Sequence, residues 1–259
     1  MTAAGVTSVG EQAAGSAIVQ DALRILHEAE SAGVPLRLLG GLAVLLHAPP
    51  EVDRRLLREP KDIDLMTKER QGKEVIALLS GLGYEANRQF NAINAGVRQL
   101  FYDTRNDRQI DVFVGSFTMC HKLPLAERIE LDPLTVPLAE LLLTKLQIVK
   151  LNEKDLRDIF ALVSGHPVGD RDEETINASY IASLCAQDWG LWRTTKMNLQ
   201  CARETLTEYV GDPDRRRMIT DRLDALGSTI DKAPKSRRWR LRDRLGDRKR
   251  WYEDPDEVG

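Results

Sequence analysis

The stretch Asp62-Ile63-Asp64-Leu65-Met66 alternates acidic with apolar side chains. Successive side chains of a strand point to opposite faces, so both carboxylates share one face while Ile63 and Leu65 share the other. The apolar face implies a half-buried strand, where two like charges are costly unless a cation neutralises them. Hard oxygen ligands favour magnesium or manganese, and phosphate oxygens would complete the coordination. The same Asp-x-Asp pattern also occurs on solvated strand faces that carry no chemistry.

Upstream, Leu36-Arg37-Leu38-Leu39 reads as a strand that runs directly into Gly40-Gly41. Leu42 to His47 then begins a helix that Pro49-Pro50 must stop. Glycines between strand and helix let the backbone approach a ligand closely, and the amides that follow can hold phosphate at the helix N-terminus. A tight turn needing positive φ would select the same residues. The pair lacks the further glycines of a dinucleotide fingerprint and the Lys-Ser/Thr of a Walker A loop. Earlier still, Ile18, Val19, Ala22, Leu23, Ile25, Leu26 and Ala29 recur at helical spacing, with Gly33 and Pro35 ending that helix. Residues 1–16 are small and polar and read as a flexible lead-in.

Downstream, Val75, Ile76, Leu78, Leu79 and Leu82 predict a helix closed by Gly81 and Gly83. Val97 to Tyr102 and Ile110 to Val114 predict two strands with a turn at Asn106-Asp107. Asp111 stands near the start of the second. If that strand neighbours the Asp62–Asp64 strand, a third carboxylate joins the pair, and three carboxylates can hold two metal ions ~3.5–4 Å apart. The pattern then changes. Thr135 and Pro137 suit a helix start, and Leu138 to Leu151 predicts one long apolar-striped helix. Asn152 with Asp155 resembles a cap and its acidic third residue, opening a helix to about Val163 that Gly165-His166-Pro167 breaks. Residues 171–230 read as helical throughout. His47, His121 and His166 show no ligand spacing and read as turn or surface residues. The chain thus divides into a lead-in at 1–16, an α/β domain at 17–130, a helical domain at 131–250 and an acidic tail at 251–259.

Of the 259 residues, 42% are hydrophobic and 30% charged, with a formal net charge of -3, an ordinary soluble composition that neither demands nor excludes nucleic acid. The average hides a basic stretch from Gly211 to Arg250, with 14 Lys or Arg against 7 Asp, a net of +7. Its arginines could face a polyanion such as RNA, with Trp239 and Trp251 stacking on bases. They could equally be a solvated face with the tryptophans packed inward, a reading that the interspersed aspartates favour. Cys120, Cys185 and Cys201 form no CxxC pair and suit a reducing compartment. No apolar run reaches the roughly 20 residues of a spanning helix and no export signal opens the chain, so a cytoplasmic protein without a membrane partner is expected.

Strand, Gly-Gly, helix, Asp-x-Asp and a later strand aspartate together resemble the polymerase-beta-type nucleotidyltransferases. The resemblance implies an α+β fold, with a small mixed-sheet, palm-like domain followed by a mostly helical one. It implies that Gly40 and Gly41 hold the triphosphate of an NTP. Asp62 and Asp64 would bind two Mg2+ (or Mn2+) ions, and Asp111 would complete the second site and help activate an acceptor hydroxyl. Lys145-Leu146, Lys154-Asp155 and Asp158-Ile159 add a likeness to the AbiEii-type group, which includes toxins of toxin–antitoxin systems. There Lys145 would contact the nucleotide, and Asp155 or Asp158 would organise the site wall. A tRNA or other RNA acceptor and a cognate antitoxin would be the partners. From the residues alone, Lys145 also fits a solvated helix face, Lys154 and Asp158 a surface pair, and Asp155 a cap. The expected reaction is transfer of a nucleoside monophosphate from an NTP to an acceptor hydroxyl, releasing pyrophosphate. The alternatives are nucleotidylation of a small molecule such as an antibiotic, or a non-catalytic nucleotide- or protein-binding module.

Overall fold

A computed structural model of the chain describes residues 16–94 and 96–254. The expected lead-in, apart from Ser16, and the last five residues of the acidic tail lie outside the described residues. The fold is α+β, in two compact units. Of the described residues, one unit holds 16–51, Arg58–Phe117 and Leu123–Pro137; the other holds Val52–Leu57, Thr118–Lys122 and 138–254.

The first unit contains strands β1 (Leu36–Leu39), β2 (Ile63–Thr67), β3 (Glu85–Ala86), β4 (Arg98–Asp103) and β5 (Arg108–Val114). They form one mixed sheet in the order β1-β2-β5-β4-β3, in which only β2 and β5 are parallel. Helices α1 (Ala17–Ser31), α2 (Gly40–His47), α3 (Gly72–Gly81) and α4 (Arg88–Asn94) belong to the same unit. Alternation along the strands sorts the side chains by face. Leu38, Leu65 and Val112 sit in one row across β1, β2 and β5, fully buried. Each such burial contributes ~1.5–3 kcal/mol. The next row, on the other face, is Leu39, Asp64, Asp111 and Leu100. The core therefore fixes the register that sets two acids side by side. The outer edge of β1 is covered by the chain around Thr135, where the Leu38 amide donates to Leu134 O at 2.8 Å and the Val136 amide to Leu38 O at 2.9 Å.

Helix α4 has no counterpart in the sequence pattern. Asn87 caps it, its side chain accepting from the Phe90 amide at 3.0 Å. Buried Asn91 then bonds both backbone groups of Leu100, donating to its carbonyl at 3.1 Å and accepting from its amide at 2.7 Å. Polar contacts to β4, not an apolar stripe, hold this short helix.

The second unit contains α5 (Leu138–Leu146), α6 (Glu153–Gly165), the short parallel strands β6 (Val168–Gly169) and β7 (Ile176–Asn177), then α7 (Ala178–Gln187), α8 (Trp189–Tyr209), α9 (Pro213–Lys232) and α10 (Arg237–Leu245). Helices α5 to α9 pack on one another. Two expectations are corrected. The helix from Leu138 ends at Leu146, not Leu151, because other groups take the next backbone atoms. Asn198 donates to Leu146 O at 2.8 Å and Ile148 O at 2.7 Å, and the Val149 amide donates to Cys120 Sγ at 3.4 Å. Residues 171–230 are not one helical run either. Strand β7 and three capped starts divide them, with Asn177, Asp188 and Asp212 accepting from the Tyr180, Leu191 and Arg215 amides at 3.0, 3.0 and 2.7 Å. None of the described helices is long and apolar enough to cross a membrane.

Candidate active site

The acid row lies where β1 turns into α2. Gly40 follows Leu39, whose strand partner is Asp64, and Asp64 is in register with Asp111 on the parallel neighbour. Asp111 is buried, Asp64 half-buried, and Asp62 exposed one residue before β2 begins. Gly40 has φ of 69°, a region that side chains strain to enter. A Cβ there would also overlap Asp64 Oδ2 and stand 2.9 Å from its Cγ. The turn thus needs glycine twice over, for its backbone angle and for the carboxylate seated against it. At Gly41 a Cβ would overlap the Arg58 guanidinium, standing 2.6 Å from Cζ. The following helix has no side-chain cap, since Leu39 occupies the cap position.

Two arginines join the site that the sequence pattern did not single out. Arg58 is the neighbour of Gly41. Arg98, on β4, grips Asp111: Nε donates to Oδ1 at 2.9 Å and Oδ2 at 3.1 Å, and Nη2 donates to Oδ2. Arg98 stands diagonally across from Asp111, since Leu100 is its direct partner. Its guanidinium also lies over the rings of Phe113 and Phe90, at 5.1 and 5.9 Å. Only the β4–β5 register, which a sequence does not print, brings this arginine to that carboxylate.

The donor set suits a hard divalent cation in part. Asp64 offers carboxylate oxygens against the glycine turn, the chemistry that magnesium or manganese selects, and Asp62 is an exposed carboxylate two residues before it. Both oxygens of Asp111 are already taken by Arg98. Among the described residues no group of three or more His, Cys, Asp or Glu side chains gathers as a metal would require.

Lys145, Asp155 and Asp158 belong to the helical unit and come together there. Lys145 Nζ lies 2.8 Å from Asp158 Oδ2 and 3.7 Å from Asp155 Oδ1. Lys145 and Asp158 are buried, so the solvated-face reading of the lysine is corrected. Asp158 faces Lys145 from the neighbouring helix. The cap of α6 is Asn152, which accepts from the Asp155 amide at 3.0 Å. Two histidines expected at the surface are likewise buried: His121 shares a 2.8 Å hydrogen bond between Nε2 and Thr194 Oγ1, and His166 lies 3.8 Å from Glu174. Burial holds the His121 imidazole below its ordinary value, with Asp188 pulling it weakly upward.

The tryptophans of the basic region make hydrogen bonds to the helical unit. Trp239 donates from Nε1 to Cys185 O at 3.1 Å, and Trp251 donates to Thr194 Oγ1 at 3.1 Å. Trp239 is buried and offers no base-stacking platform, while Trp251 is half-buried. The nearby aspartates are engaged too: Asp243 accepts from Trp189 Nε1 at 2.7 Å, and Asp247 pairs with Arg193 at 2.7 Å.

Residues 21–118 match the family model described as aminoglycoside-2''-adenylyltransferase, a family of the polymerase-beta-type nucleotidyltransferases. The match takes in the glycine turn and all three aspartates, and it covers less than half of the chain. No curated protein matches the chain.

Proposed function

We propose that this chain transfers a nucleoside monophosphate from an NTP to an acceptor hydroxyl. One observation carries the reading: Asp64 fills the space that the missing side chain of Gly40 leaves, with Asp111 in register beside it. The turn at Gly40 and Gly41 would receive the triphosphate on the amides that open α2. Asp62 and Asp64 would hold Mg2+ or Mn2+, which when bound neutralises charge on the reacting phosphate. Asp111 would orient the acceptor hydroxyl. The acceptor oxygen attacks the α-phosphorus and gives up its proton to solvent, the bond from that phosphorus to the bridging β-phosphate oxygen breaks, and pyrophosphate leaves.

The family match favours ATP as donor and a polycationic aminoglycoside-class acceptor. A second reading, an RNA acceptor as the AbiEii likeness implies, draws on one observation. Arg237, Arg238, Arg240 and Arg244 of α10 are exposed and without partners among the described residues. Incubation with α-labelled NTPs and Mg2+ separates the two. The acceptors are a panel of aminoglycosides and, separately, total tRNA, with Asp64→Ala as control. Label in an aminoglycoside that depends on Asp64 supports the first reading, and label in tRNA the second. Label in neither, with no pyrophosphate released, would leave the binding-module alternative.

A further inference from the structure

Arg37 carries a charge that no carboxylate answers. It stands on β1, half-buried, with Nε donating to Asp132 O and Nη1 to Leu36 O at 2.7 Å. Both acceptors are neutral carbonyls, and Arg37 makes no ion pair among the described residues. The rest of its donor fork is left over. Asp132 turns its Oδ1 instead to the amides of Leu134 and Thr135, at 2.8 and 2.7 Å. Burial pushes the guanidinium below its ordinary value, with Asp132, Glu130 and Glu30 pulling it back upward. A half-buried cation is costly to hold without an anion against it. Arg37 also lines a cleft of about 640 Å³ within the first unit. Leu23 and Leu26 of α1, together with Val34 and Leu134, give that cleft an apolar wall. Its acids stand exposed: Glu30, and Glu130, which pairs with Lys68 at 2.5 Å. The half-buried, unpaired charge of the cleft is therefore the cation. Neither glycine of the turn and none of Asp62, Asp64 and Asp111 lines it.

We propose that this cleft binds a small organic anion, its carboxylate or phosphate group on Arg37 and its apolar body against Leu23, Leu26, Val34 and Leu134. The size and lining fit such an occupant, since small-molecule sites span roughly 300–1,000 Å³ and combine apolar walls with a few placed polar groups. Guanidinium meets either head group with the same planar, two-pronged geometry. The two carbonyl bonds already hold the Arg37 fork in one orientation, so little side-chain freedom is lost when the anion arrives. Lys68 stands in the same cleft, but Glu130 neutralises it, which leaves Arg37 as the anchor.

The test is isothermal titration calorimetry on the full-length chain with four probes: 2-naphthoate, 2-naphthyl phosphate, neutral 2-naphthol and inorganic phosphate. Wild type should bind the two naphthyl anions, and the tighter of them identifies the head group. Naphthol lacks the charge and inorganic phosphate lacks the apolar body, so each should bind more weakly by about tenfold or more. Arg37→Gln should weaken both naphthyl anions by about tenfold or more and leave naphthol as it was. Leu23→Glu keeps Arg37 and its carbonyl bonds but sets a carboxylate in the wall. It should weaken the anions likewise, and it decides the matter if Arg37→Gln does not fold. The proposal is overturned if wild type binds neither naphthyl anion, or if it binds naphthol as tightly as naphthoate. It is overturned equally if the anions bind Arg37→Gln, or Leu23→Glu, as tightly as wild type, because they would then sit elsewhere on the molecule.

Discussion

At the scale of single residues, Gly40 and Gly33 separate backbone strain from functional packing. Both have positive φ, 69° and 68°, yet a Cβ on Gly33 meets open space while one on Gly40 strikes Asp64. Alanine at either position should cost ~1–3 kcal/mol in strain. Only Gly40→Ala must also displace the carboxylate, and a misplacement of that kind lowers turnover by about 100-fold. Urea unfolding and nucleotidyl transfer measured on both variants check this; equal activity in the two would remove Asp64 from the reaction. His121 gives a pH prediction. Its folded value lies below the ordinary 6.5 because burial disfavours the charged ring. As pH falls through the ordinary value toward the folded one, the unfolded chain binds a proton and the folded chain does not, so stability is lost on the acid side. His121→Asn, which has no proton to take up, should be less stable than wild type at pH 7.5, and the gap should narrow by pH 5.5. A gap in Tm that stays constant over that range would sink the assignment. The glycines and acids of this site were legible because each residue type has a local physical reason to stand there. Arg98 and Arg58 were not, because an arginine near a carboxylate in space carries no mark in the chain.

At the scale of elements, α5 and α6 are joined through a charge. Lys145 reaches from α5 to Asp158 and Asp155 of α6, with Asp158 2% exposed. Removing one partner of a buried pair leaves the other charge uncompensated, at a cost of ~3–5 kcal/mol. Lys145→Met should therefore unfold at markedly lower urea, and adding Asp158→Leu should restore much of the loss. If Lys145 serves the nucleotide instead, Lys145→Met would keep its stability and lose NTP affinity, and equilibrium unfolding beside nucleotide binding tells the two apart. The strand and helix pattern predicted β1, β2 and the hairpin of β4 and β5 closely, because period-two alternation over a core of Leu38, Leu65 and Val112 is a strong signal. It failed where polar side chains set the boundaries. Asn198 ends α5 from a distant helix, which nothing local announces. Asn177, Asp188 and Asp212 were visible cap residues, and reading each as a start would have split 171–230 into its helices.

At the scale of the molecule, charge distribution bears on which acceptor the chain takes. The formal net charge of -3 conceals α10, whose outward residues Arg237, Arg238, Arg240 and Arg244 flank exposed Leu241 and Leu245. Of the aspartates in this helix and just after it, Asp247 pairs with Arg193, whereas Asp243 accepts from the neutral Trp189 indole and keeps its charge beside the arginines. Composition alone favours a self-neutralised solvent face; the structure leaves these four arginines without ion pairs among the described residues and turns Trp239 inward, away from any stacking role. What is left is an electrostatic face that would meet phosphates without reading bases. Replacing all four arginines with glutamine should then flatten the dependence of log K on log salt for single-stranded RNA, by about 0.7 for each phosphate no longer neutralised. Adenylyl transfer to an aminoglycoside should be untouched, because a small cation gains nothing from that face. Filter binding across a salt series, run beside the aminoglycoside assay, gives both readouts. An unchanged salt slope means that α10 does not carry RNA, and the polycationic small molecule then stands as the acceptor to pursue.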